Sequence, residues 1–173
     1  ALQSTSTGTP DVGVFAFSND GTTLLFSTYF GGSGEDIPFG ISVMNTGEIC
    51  ISGQTRSHDF PIHNAIQPTL NGGEWESDAF VTKFSPLCSS LIFSTYLGGS
   101  SEEDSAYIKT DSVGNIYVVG HTSSSDFPMV NAAQGTNGGG SDCFITKLSS
   151  DGSEIIYSTS PEVEETMSEV VVE

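Results

Sequence analysis

Cations are scarce in this chain of 173 residues, where 4 Lys+Arg stand against 22 Asp+Glu for a net charge of -18. A compact fold of this size exposes roughly 8,000 Å², so its surface is strongly acidic. Without basic patches to neutralise phosphates, no nucleic-acid partner is expected, nor attraction to an anionic membrane. Small cations and basic partners remain open. Apolar runs are short as well, none reaching the about 18 residues that a spanning helix needs, so no membrane span is expected. The three cysteines, Cys50, Cys88 and Cys143, form an odd set with no Cys-x-x-Cys spacing and no neighbouring His to complete a zinc site. They read as three buried or inert thiols, or as one disulfide with a thiol left over. No Asn-x-Ser/Thr sequon occurs. Gly-x-Ser-x-Gly, Gly-x-Gly-x-x-Gly, the phosphate-binding Gly-x-x-x-x-Gly-Lys and His-Glu-x-x-His are all missing, so the chain is not expected to be an enzyme.

What is present points to strands. An apolar fraction of 36% with 11 Phe is too high for a disordered chain, and 20 Gly among many Ser and Thr favour turns and strands over helices. The expected class is all-β. The polar opening Ala1-Leu2-Gln3-Ser4-Thr5-Ser6-Thr7 reads as the start of a mature, secreted chain after removal of a signal peptide, which places the protein outside the cell or on its surface.

The chain repeats itself. Asp11-Val-Gly-Val-Phe-Ala-Phe-Ser aligns without a gap on Asp78-Ala-Phe-Val-Thr-Lys-Phe-Ser, and the register holds through Phe26-Ser-Thr-Tyr-Phe-Gly-Gly on Phe93-Ser-Thr-Tyr-Leu-Gly-Gly, an offset of 67 residues. Gly47-Glu-Ile-Cys-Ile-Ser-Gly falls on Gly114-Asn-Ile-Tyr-Val-Val-Gly, and Asp59-Phe-Pro on Asp126-Phe-Pro. A third copy opens at Asp142-Cys-Phe-Ile-Thr-Lys-Leu and runs through Ile155-Ile-Tyr-Ser-Thr, then departs at Ser160-Pro161-Glu162-Val163. The organisation is an N-terminal arm (residues 1–10), two complete repeats (11–77 and 78–141) and a partial one with an acidic C-terminal strand (142–173).

Within the second copy, alternation predicts four strands: a over residues 79–84, b over 91–96, c over 106–110 and d over 115–121, with a long polar connection over 122–141. Four strands per unit is the arithmetic of a propeller blade. These landmarks, Asp-Ala-Phe-Val-Thr-Lys, Phe-Ser-Thr-Tyr-Leu-Gly-Gly, Gly-Asn-Ile-Tyr-Val-x-Gly and Asp-Phe-Pro, resemble the β-propeller repeat family called SBBP. The resemblance covers residues 11–159. It implies bladed β architecture in secreted or cell-surface proteins, with no shared catalytic residues. Propellers close with at least about four blades, whereas this chain holds two and a half copies. Residues 11–73 and 78–139 are expected to form two similar four-stranded sheets, with Phe15, Phe17, Phe26, Phe80, Phe84, Phe93, Phe144 and Tyr157 packed.

Candidate sites are few. Gly31-Gly32 and Gly98-Gly99 follow strand b in both copies and read as turns that need positive φ. Glu35-Asp36 and Glu102-Glu103-Asp104 follow them at matching places, hard oxygen chemistry suited to Ca²⁺, though no EF-hand spacing accompanies it and solvated turns are the other reading. His58, Asp59 and His63 meet either a metal or solvent in a surface loop. Trp75 either packs over a blade edge or stacks on carbohydrate. In the third copy residues 170–172 align with the start of strand c and strand d is missing, so its blade is expected to be incomplete. An apolar edge of this kind is a template for another chain. The expected function is a non-enzymatic extracellular subunit of a homo-polymeric head-to-tail filament, its joint made by Leu2, Gln3, Ser4 and Thr5 of one copy and Val170, Val171 and Val172 of the next. The competing readings are a secreted protein- or carbohydrate-binding module within a larger propeller, and a hydrolase with an unrecognised acidic site.

Overall fold

Ten strands in three antiparallel sheets account for nearly all the regular structure in the computed structural model, which describes residues 1–135 and 140–161. Sheet 1 is the hairpin of β1 (Val12–Phe17) and β2 (Leu24–Phe30). Sheet 2 runs in spatial and chain order through β3 (Asp36–Val43), β4 (Ile49–Thr55), β5 (Asp78–Phe84) and β6 (Leu91–Leu97). Sheet 3 repeats this with β7 (Glu103–Thr110), β8 (Ile116–Thr122), β9 (Asp142–Leu148) and β10 (Ile155–Thr159). One turn of 3-10 helix, Pro86–Cys88, interrupts the β5–β6 connection.

The sheets are out of phase with the sequence repeat. Each four-stranded sheet takes strands c and d from one copy and a and b from the next, so the sheets cover residues 36–97 and 103–159 instead of 11–73 and 78–139. The long polar linkers therefore lie inside sheets, between d and a, and the short Gly-Gly loops carry the chain from one sheet to the next. The shift also places the third copy's strands a and b in a sheet with c and d of the second. The third copy's β9 and β10 complete sheet 3, and the two-stranded sheet is the first. Residues 170–172 lie outside the described residues.

Sheet 2 is sandwiched. On one face Ile49, Ile51, Phe80, Phe84 and Tyr96 pack with Val12, Val14 and Phe30 of sheet 1. On the other, Cys50, Ala79, Val81, Phe93 and Leu97 meet Ile108, Ile116, Val118, Phe144 and Leu148 of sheet 3. Neighbouring residues of β5 go to opposite cores, so all seven are buried. Phe80, Phe84, Phe93 and Phe144 are fully buried, each worth about 2–3 kcal/mol in area removed from water. The expected packing of Phe15 and Phe17 does not occur. They are 64% and 52% exposed, because nothing among the described residues covers the outer face of sheet 1. Trp75, at 80% exposed, does not pack over a sheet edge either. All three cysteines are buried, and Cys50 and Cys88 carry free thiols.

Candidate functional site

The motif that ends strand b assembles a buried carboxylate network. In Phe93-Ser-Thr-Tyr-Leu-Gly-Gly, Phe93 enters the core and the Ser94 hydroxyl bonds the Thr82 hydroxyl at 2.8 Å. Thr95 Oγ1 accepts the Gln67 amide at 2.9 Å, and the Tyr96 hydroxyl donates to the Ser57 carbonyl at 2.6 Å. The Gly99 amide then donates to Glu103 Oε2 at 2.9 Å while Thr122 Oγ1 donates to Oε1 at 2.6 Å. One repeat earlier, Asp36 takes the Gly32 amide at 2.7 Å and the hydroxyls of Ser57 and Thr55. Asp59 and Asp126 close the loops from outside, each accepting the amide and hydroxyl of one serine, Ser33 and Ser100. The glycine pairs do not have positive φ. They are glycine for want of space: a β-carbon on Gly31 would lie 2.5 Å from Asp36 Oδ2, and one on Gly99 would lie 2.6 Å from Asp126 Oδ1.

The five acidic residues singled out for Ca²⁺ are thus drawn to different partners. Asp36 and Glu103 are wholly buried on protein donors. Glu35 and Glu102, equivalent in consecutive repeats, share Arg56 at 2.7 and 3.3 Å. Asp104 stands 3.3 Å from His121 Nδ1. Among the described residues no group of three or more His, Cys, Asp or Glu is arranged to hold a metal. His63 bridges the backbone of Ser94, and Asp59 serves the Gly-Gly loop. Burial pushes the Glu103 carboxyl up to about 7, against the pull of the hydroxyls and amide that bond it, and raises Asp36 and Asp78 in the same way.

Cations are spent on internal joints. Buried Lys83 of β5 reaches Glu48 at 3.0 Å and the Ser150 carbonyl at 2.9 Å, tying sheet 2 to sheet 3. Lys147 lies over the Tyr117 ring and 3.8 Å from Asp111. With Arg56 these are three of the four cations, which leaves the outer surface overwhelmingly anionic.

Among the described residues β1, β3 and β7 each have one edge without a strand partner, and β1 belongs to the outermost sheet. The outer edges of β6 and β10 are capped by isolated bridges, His63 to Ser94 and Val130 to Ser158, and β2 is capped by Gln3 on Tyr29. The Gln3 amide also donates to Thr28 Oγ1 at 2.9 Å. Gln3 is therefore engaged within its own chain, while Leu2, Ser4 and Thr5 are exposed. The equivalents Gln67 and Gln134 make the same amide bond to Thr95 and Thr159, so residues 1–10 occupy the place of a repeat linker and not that of a separate arm. Matching Ala1-Leu2-Gln3 to Ala65-Ile66-Gln67 in the sequence is the signal that would have found this. The position of β1 is occupied in sheets 2 and 3 by β5 and β9, each paired along seven residues with β4 or β8. Among the described residues β1 pairs only with β2. Beside its free edge runs a groove of about 370 Å³ lined by Val12, Val14, Phe15, Phe39, Ile41 and Ile51.

Residues 92–128 match the family model SBBP, described as a beta-propeller repeat. The match starts in β6 of sheet 2 and ends after β8 of sheet 3, so it straddles two sheets as the structural phase requires. No match was found among curated proteins.

Proposed function

With one beta-propeller repeat and an all-β stack of sheets as the premise, we propose that the chain is a non-enzymatic structural subunit of an extracellular homo-polymer, joined head to tail by strand complementation. The observation that carries this reading is the free edge of β1, bordered by an apolar groove and by exposed Phe15, Phe17, Leu25 and Tyr29. Unpaired edges of this kind are templates for another strand. The joint is heterologous, one surface meeting a different one, so it propagates. The expected joint on residues 2–5 moves to β1, since Gln3 already serves its own β2.

Light scattering coupled to gel filtration, with electron microscopy of the same fractions, tests this. The full chain should form large head-to-tail species, and the exposed substitutions Phe15→Lys with Phe17→Lys should give a folded monomer by circular dichroism. A wild-type chain that stays a monodisperse monomer at high concentration overturns the polymer. The second reading, a binding module within a larger propeller, then takes its place. It draws on the linker-like docking of Gln3, which is what a chain continuing from an earlier repeat would show.

A further inference from the structure

Sheets 1 and 3 each have one face on which no further sheet follows among the described residues, and these two faces are the two halves of a contact that the chain already makes twice. We propose that the outer face of sheet 3 in one copy packs on the outer face of sheet 1 in a second copy, with Tyr157 of the first against Gly21 of the second. The inference rests on the homo-polymer reading but not on strand pairing at β1.

The sheets stack in one sense. Val12, Val14 and Phe30 of sheet 1 pack on the Phe80 and Phe84 face of sheet 2, and the opposite face of sheet 2, with Ala79, Val81 and Leu97, packs on the Phe144 and Leu148 face of sheet 3. Ala79, Val81 and Leu97 are the repeat equivalents of Val12, Val14 and Phe30, and Phe144 and Leu148 are those of Phe80 and Phe84, so the two joints are one contact repeated. The next step of the same stacking brings the outward face of sheet 3, where Tyr117 and Tyr157 both pair with Lys147, to the outward face of sheet 1, where Gly13 pairs with Tyr29. Phe15 lies on that face of sheet 1, at the place where β5 and β9 carry Thr82 and Thr146. The bare member of the series is thus more apolar at this position than the two covered ones.

A turn locks each joint. After β9 the turn Ser149-Ser-Asp-Gly152 lies on sheet 2, where the Ser150 carbonyl accepts Lys83 Nζ at 2.9 Å and Gly152 abuts the Phe93 ring so closely that a β-carbon would collide with it. After β5 the equivalent of Gly152 is Cys88, which packs in the core bordered by Phe26, the sheet 1 equivalent of Phe93. After β1 the turn Ser18-Asn-Asp-Gly21 is built like Ser149–Gly152. Each glycine amide donates to its serine carbonyl, at 2.8 and 3.0 Å, each aspartate accepts its serine hydroxyl, and the glycines have φ of 71° and 70°. Gly21, however, has nothing within 4 Å of where its β-carbon would stand. At the other end of the stack Tyr157 and Lys147 hold the places of Phe93 and Lys83 on the outward face of sheet 3. The lock is therefore divided between the two outer sheets, and a second copy supplies the missing half, its Gly21 turn over Tyr157 and its Asn19 carbonyl in reach of Lys147.

Cysteine pairing between full-length chains tests the contact. One chain carries Gly21→Cys, a change that the equivalent Cys88 shows the turn to accept at a φ of 49°, and the other carries Tyr157→Cys. The two are mixed, oxidised and run without reductant, with circular dichroism as the check on folding. An interchain disulfide is expected, formed at least tenfold faster than when Gly21→Cys is mixed with Trp75→Cys, whose site is exposed in a linker. In the unsubstituted protein, carbodiimide should couple Lys147 to Asp20 between isotopically light and heavy chains, and this measurement decides the question if either cysteine variant fails to fold. Absence of both links in mixtures that remain assembled by light scattering, or a disulfide no faster than the Trp75→Cys control, overturns the face-to-face contact and leaves the polymer reading standing. A wild-type chain that stays monomeric overturns both.

Discussion

Two carboxylates, Asp78 and Glu103, crowd the place where Gly98 would carry a β-carbon, whereas Gly13 has nothing around it. The two glycines should respond oppositely to alanine. Gly98→Ala is expected to cost about 1–3 kcal/mol by overpacking, and Gly13→Ala to stay within about 0.5 kcal/mol, both read from urea unfolding. Glu103 carries a second consequence. Its carboxyl titrates at about 7 in the fold against an ordinary 4.5, so the folded state holds a proton that the unfolded chain has already released. The stability that this group contributes is therefore fully present below 4.5, is lost as pH rises from 4.5 to about 7, and is absent above. The drop approaches about 3 kcal/mol for this one group. Unfolding measured from pH 4.5 to 8 should show that slope, and Glu103→Gln should flatten it. An unchanged slope in the variant would assign the pH dependence to Asp36 and Asp78, which burial shifts the same way.

At the scale of strands, β5 and β1 are repeat equivalents with opposite surroundings. β5 is hydrogen-bonded on both sides and buried on both faces, while β1 is paired on one side and bare on its outer face. Native-state hydrogen exchange should protect β5 to the level of global unfolding, and the outward amides of β1 should exchange orders of magnitude faster. Adding a second copy at assembling concentrations should slow β1 alone. Strand positions were legible from the sequence because alternation and turn glycines are local: expected strand b over residues 91–96 is observed as β6 Leu91–Leu97, and d over 115–121 as β8 Ile116–Thr122. Which strands share a sheet was not, because a repeat of four strands has no marked first member. Connection length carried that information. The long linkers 56–77 and 123–141 hold His63 and Val130 against the outer strand of the sheet they run within, and only then does the Gly-Gly loop step to the next sheet. The roles of Asp59, Asp126 and the glycine pairs lay in contacts between distant loops, so periodicity could not reveal them.

For the whole molecule, charge opposes association. Each copy brings -18 to the joint, with most cations turned inward, so polymer formation should strengthen as carboxylates protonate toward about 4 and on adding divalent cations. Light scattering that falls on mild acidification and ignores Ca²⁺ would refute this. The half-repeat phase shift also decides how the molecule comes apart. The exposed linker stretch Gly73-Glu74-Trp75 joins strands of one sheet, so a nick there severs β4 from β5 along the chain but leaves their seven-pair ladder in place. Cleaved protein should migrate as two fragments in detergent yet elute at its original size in buffer. The chain is laced as masonry is bonded, each covalent seam overlapped by a course of strands, and damage to one seam does not open the wall.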